Sequence, residues 1–141
     1  MLRKSKWFIY SLIIILINVA LGHFLPPSSI MFSPIVICVI TVFVMEMKIN
    51  TCVKTFLIGF LISLQDIGVK LFAGGTSDSQ GLAWIHLMLL IGVASSGMYL
   101  LYYMFYKENS NLKVKLISLL ILGSVLLLHL RCFFYLGLEV K

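Results

Sequence analysis

The chain has 141 residues, of which 61% are hydrophobic and 11% charged, and its mean hydropathy is +1.09. A soluble domain is roughly half apolar and a quarter charged, and one of this size cannot hide so much apolar surface from water. A water-soluble fold, a disordered chain and a disulfide scaffold are therefore excluded. The net charge of +6 reflects 11 Lys/Arg against 5 Asp/Glu. The basic residues flank apolar runs instead of gathering on one polar face, which points to a lipid bilayer and away from nucleic acid.

Five apolar stretches follow in order, each near the roughly 20 residues that cross a bilayer as a helix. They run from about Trp7 to Leu25, Ile30 to Met47, Thr51 to Ala73, Gly81 to Tyr106 and Lys113 to Leu136. The first follows Arg3, Lys4 and Lys6 and resembles a signal peptide in outline, but its apolar run exceeds the usual length, so it is taken as a retained helix. Pro26-Pro27-Ser28-Ser29 reads as a stiff turn, and Ser33 as a cap before Pro34 at the start of the second helix. Barrel strands would be about half as long and would alternate. The predicted fold is all-α: a polytopic membrane protein with a bundle of about five transmembrane helices, residues 1–141 forming one domain.

Lys and Arg set the expected orientation. Eight of the eleven (Arg3, Lys4, Lys6, Lys48, Lys54, Lys107, Lys113 and Lys115) fall at the N-terminus and in the second and fourth connections. Lys70, Arg131 and Lys141 make up the other side. The positive-inside rule then places the N-terminus in the cytoplasm and the C-terminus outside, in an inner or plasma membrane.

Ionisable groups inside a membrane are costly and are functional candidates by default. His23, Asp66, Lys70, His86, His129 and Arg131 all fall within about two turns of the predicted outer face, at 1.5 Å rise per residue, with Asn18 and Gln65 as neutral companions. On the third helix Cys52, Thr55, Gly59, Ser63, Asp66 and Lys70 occupy an arc of roughly 80° at 100° per residue. Thr55, Gly59 and Ser63 form a small-residue series that permits close helix packing. Asp66 and Lys70 continue it at i,i+4, where a carboxylate and an ammonium meet. The predicted ligand-binding or ion-pair cluster is Asp66, Lys70, His86, Arg131 and His129. Gly74, Gly75 and Asp78, in the longest outer connection, form a candidate anion-binding loop beside a helix N-terminus.

No nucleophile–base spacing, metal motif or cofactor fingerprint is present, so no catalytic residue, metal or cofactor is assigned. Cys38, Cys52 and Cys132 lie far apart and read as packing residues. Tyr99, Tyr102, Tyr103 and Tyr106 suit an interfacial aromatic belt. Three functions remain open. The first is an outward-facing polar pocket that binds, or helps transport, a small polar or anionic solute. The second is a structural or regulatory subunit that docks a larger membrane protein, or a second copy, through the third helix. The third is an intramembrane enzyme acting on lipid headgroups.

Overall fold

The computed structural model describes residues 2–72, 79–108 and 110–136, with side chains from residue 6 onward. Five α-helices follow one another: α1 (Leu2–Phe24), α2 (Pro26–Met45), α3 (Thr51–Phe72), α4 (Ser79–Tyr102) and α5 (Leu112–Phe133). A single π-helical turn, Tyr103–Lys107, continues α4. All five are long and apolar enough to cross a membrane. The described residues are all-helical, and their five long apolar helices are those of a membrane protein by length and composition.

The second helix starts earlier than its sequence implies. Leu25 alone makes the turn, and Pro26 and Pro27 occupy the first helical positions. A proline is at no disadvantage there, because the first N–H groups of a helix lack an intrahelical acceptor in any case. Ser33 is consequently no cap. It lies inside α2 and donates its hydroxyl to the Ser29 carbonyl at 2.9 Å, and Pro34 sits in the helix interior. The fifth helix ends at Phe133, three residues short of the expected Leu136, and passes into a turn.

α3 is the central helix and packs against α1, α2, α4 and α5. Its buried side chains go well beyond one stripe and include Ile58, Leu61, Ile62 and Val69. Ile58, Leu61 and Ile62 join Ile37, Ile40, Val44 and Leu100 in the apolar core, and Val69 packs separately with Ile85. Glycines set three close approaches. A Cβ at Gly59 would lie 2.9 Å from Val125 on α5, one at Gly68 would lie 2.5 Å from Val19 on α1, and one at Gly92 would lie 3.1 Å from the Pro34 backbone on α2. At Gly92, α4 thus rests on Ile37 and the Pro34 backbone of α2.

α5 packs chiefly on α3 and leaves Leu116, Leu120, Leu127 and Leu128 exposed. Such a helix is stable only where lipid covers its outer face, since in water each exposed leucine would forgo the ~1.5–3 kcal/mol of a buried one.

Candidate functional site

The i,i+4 geometry of α3 brings Lys70 Nζ to 2.6 Å from Asp66 Oδ2. α5 runs parallel to α3 beside it, matching Cys52 with Ser118, Gly59 with Val125, and Asp66 with His129. This register places His129 Nε2 at 2.7 Å from the same carboxylate oxygen. Lys70 Nζ also donates to the Phe133 carbonyl at 2.9 Å, close to the end of α5, where carbonyls lack intrahelical donors. Asp66, Lys70 and His129 are 3%, 1% and 4% exposed, so three ionisable side chains lie in the interior with almost no access to solvent.

Asp66 and Lys70 balance in charge. His129 donates from Nε2 to the carboxylate, which has no hydrogen of its own to offer when ionised. Three buried atoms around this cluster have no hydrogen-bond partner among the described residues: Asp66 Oδ1, His129 Nδ1 and His86 Nε2. Native interiors leave few polar atoms in this state, and each calls for an explanation, such as a ligand or an ordered water.

The other candidates fall in different places. His86, on α4, has no hydrogen bond to Asp66 among the described contacts; its ring stacks on Phe134 with centroids 4.4 Å apart and 14° between planes. It faces His129 across a groove of about 270 Å³ between α4 and α5. Arg131 is exposed and forms no ion pair among the described residues. The expected convergence of Arg131 on Asp66 is therefore corrected: two residues beyond His129 means a rotation of about 200°, which turns its guanidinium away from α3. His23 is likewise exposed. Gly74, Gly75 and Asp78 lie outside the described residues.

The small-residue series of α3 meets α5 of the same chain. Gly59 faces Val125 and Leu122, Thr55 is buried, and the Ser63 hydroxyl is engaged by the Gly59 carbonyl at 2.9 Å. α5 covers Gly59 on this face, while Ser63 stays half-buried beside a cleft shared with Val125 and Leu128. Among the described residues no group of three His, Cys, Asp or Glu side chains is arranged to hold a metal ion.

A second polar chain escaped sequence reasoning. Asn18 Nδ2 on α1 donates to the Ser29 carbonyl at 3.2 Å, and Gln65 Nε2 on α3 donates to Ser33 Oγ at 3.3 Å, tying three helices together. Asn18 and Gln65 signal it in the sequence, but their partners there read as turn and cap. At the opposite end of the bundle the Thr51 hydroxyl donates to the Glu108 carboxylate, and Lys54 and Lys107 lie 5.2 and 5.8 Å from the Tyr103 ring centroid. These contacts tie this end of the bundle together by cation–π attraction and hydrogen bonding.

Comparison with protein-family models, curated proteins and solved structures finds no match.

Proposed function

We propose that this is a small integral membrane protein that binds a small molecule at the Asp66–Lys70–His129 cluster, as a carrier or a component of a transport system. The observation that carries this is the convergence of three buried ionisable side chains from two helices, with Asp66 Oδ1 and His129 Nδ1 left without partners. Such groups cost several kcal/mol in a bilayer, and leucines would pack the same space more cheaply. Fold stability alone does not account for them.

The charge balance bears on the ligand. Lys70 already neutralises Asp66, and Arg131 points elsewhere, so an uncharged, hydrogen-bonding molecule suits the site better than an anion. An enzyme of lipid headgroups has less support: Ser63 and Cys132 share a cleft with His129, but the Ser63 hydroxyl donates to the Gly59 carbonyl and neither side chain hydrogen-bonds His129 among the described contacts. The eight-to-three division of Lys and Arg supports a cytoplasmic N-terminus, an extracytoplasmic C-terminus and a position in the cytoplasmic membrane, inner or plasma. The cluster then lies in the outer half of the bilayer.

Native mass spectrometry of protein released from its own membranes tests this. The wild type is expected to retain a small bound species, and the charge-balanced pair Asp66→Asn with Lys70→Met to lose it while remaining folded. Identical spectra from both proteins would refute the assignment.

A further inference from the structure

We propose that the groove between α4 and α5 is a lateral binding site for an uncharged, lipid-soluble amphiphile with a hydroxyl head of the phenol or alcohol type, held by the imidazoles of His86 and His129. This deepens the assignment of the Asp66 cluster as a ligand site and rests on it.

The walls define the body of the ligand. Leu89 and Val93 on α4 face Leu126 and Leu130 on α5 across about 270 Å³, and His86 and His129 line it with their unpartnered nitrogens buried beneath its surface, so a ligand head reaches them only as the covering side chains move. His86 lies seven residues from the start of α4 at Ser79, and His129 four residues before the end of α5 at Phe133, so both imidazoles sit toward one end of the bundle. From His86 to Val93 the groove continues for about 10 Å toward the middle of the bilayer. A polar solute would find no hydrogen-bonding partner along these walls. An apolar tail arriving from lipid would exchange one hydrocarbon surface for another.

The nitrogens define the head. In a neutral imidazole a hydrogen on Nε2 toward Asp66 Oδ2 at 2.7 Å leaves Nδ1 as an acceptor, and Nδ1 has no partner on a residue 4% exposed. The incoming group must donate to it. His86 Nε2, also without a partner, can donate in return or accept according to its tautomer. A hydroxyl does both. A carboxylate or phosphate would enter a region where Lys70 already balances Asp66, with no further Lys or Arg lining the groove among the described residues. Phe134, just past the end of α5, lies flat on His86 and covers that end of the groove; the entering head displaces its ring.

The test uses the full chain in phosphatidylcholine nanodiscs with 15N-labelled histidine. The probes are 4-octylphenol, its methyl ether, octanoate and glycerol. The phenol is expected to shift the His129 Nδ1 resonance saturably, and the ether, which has the same ring and tail but no donor, to bind at least about tenfold more weakly. Octanoate is expected to leave the resonance unmoved. Leu90→Trp narrows the mouth of the groove at a residue 65% exposed, so folding is spared, and it should weaken the phenol response about tenfold. Phe134→Ala should strengthen it. Equal responses to phenol and ether, or a phenol response indifferent to Leu90→Trp, would overturn the proposal. A response to glycerol without one to octylphenol would overturn the lateral amphiphile site while leaving the cluster as a ligand site. No response to any probe would remove both.

Discussion

Replacing Asp66 by Asn removes one charge and almost no volume, so its consequence is electrostatic. In the wild type the carboxylate holds Lys70 Nζ at 2.6 Å and His129 Nε2 at 2.7 Å through one oxygen. At an effective dielectric of about 20 the Lys70 attraction alone is about 6 kcal/mol before desolvation is set against it. The net loss on deleting one partner of a buried pair is about 3–5 kcal/mol, since the remaining charge stays in the interior. The bond to His129 adds about 1.5–3 kcal/mol if measured separately. The assay is a pair of double-mutant cycles read from reversible unfolding in mixed micelles, Asp66→Asn with Lys70→Met and Asp66→Asn with His129→Phe. Each pair should couple by at least about 1 kcal/mol, and Asp66→Asn with Arg131→Gln should be additive within about 0.5 kcal/mol. Strong coupling to Arg131, or additivity with His129, would refute the account of how α3 and α5 meet.

Other outcomes follow from the packing. Gly59→Leu and Gly92→Ala should each lower stability by about 1–3 kcal/mol in the same assay, whereas Gly97→Ala and Gly123→Ala, where a Cβ would meet no atom within 4 Å, should be neutral. Ser33→Ala should cost about 1 kcal/mol by removing the acceptor of the buried Gln65 amide, and Gln65→Leu added to it should recover part of the loss. In a background without native cysteines, an impermeant maleimide applied from outside the cell should label Ser79→Cys and leave Asn111→Cys unlabelled. The reverse pattern would invert the orientation.

Much of the fold is legible because the bilayer imposes it. A membrane-spanning helix must be apolar over its whole length, so the five spans stand out by hydropathy alone. Boundaries are less legible, since proline serves equally in a turn and in the first turn of a helix; Pro26 and Pro27 belong to α2. The Asp66–Lys70 contact is visible because i,i+4 neighbours lie on one face of a helix whatever its surroundings. Its partner is not. His129 and Arg131 are two residues apart at similar depth, and only the rotation of α5, set by Val125 against Gly59, decides which of them reaches Asp66. The groove beside His86 is equally hidden, because a gap between two helices leaves no mark on either sequence.

One carboxylate on α3 is shared by Lys70 of its own helix and His129 of α5. Solid-state NMR in lipid bilayers measures this directly, with 13C at the aspartate Cγ and 15N at lysine Nζ and histidine Nε2. Dipolar contacts are expected from Asp66 Cγ to both Lys70 Nζ and His129 Nε2, the second lost in a His129→Phe control. A contact to Lys70 alone would reduce the site to an isolated pair on one helix and contradict the account.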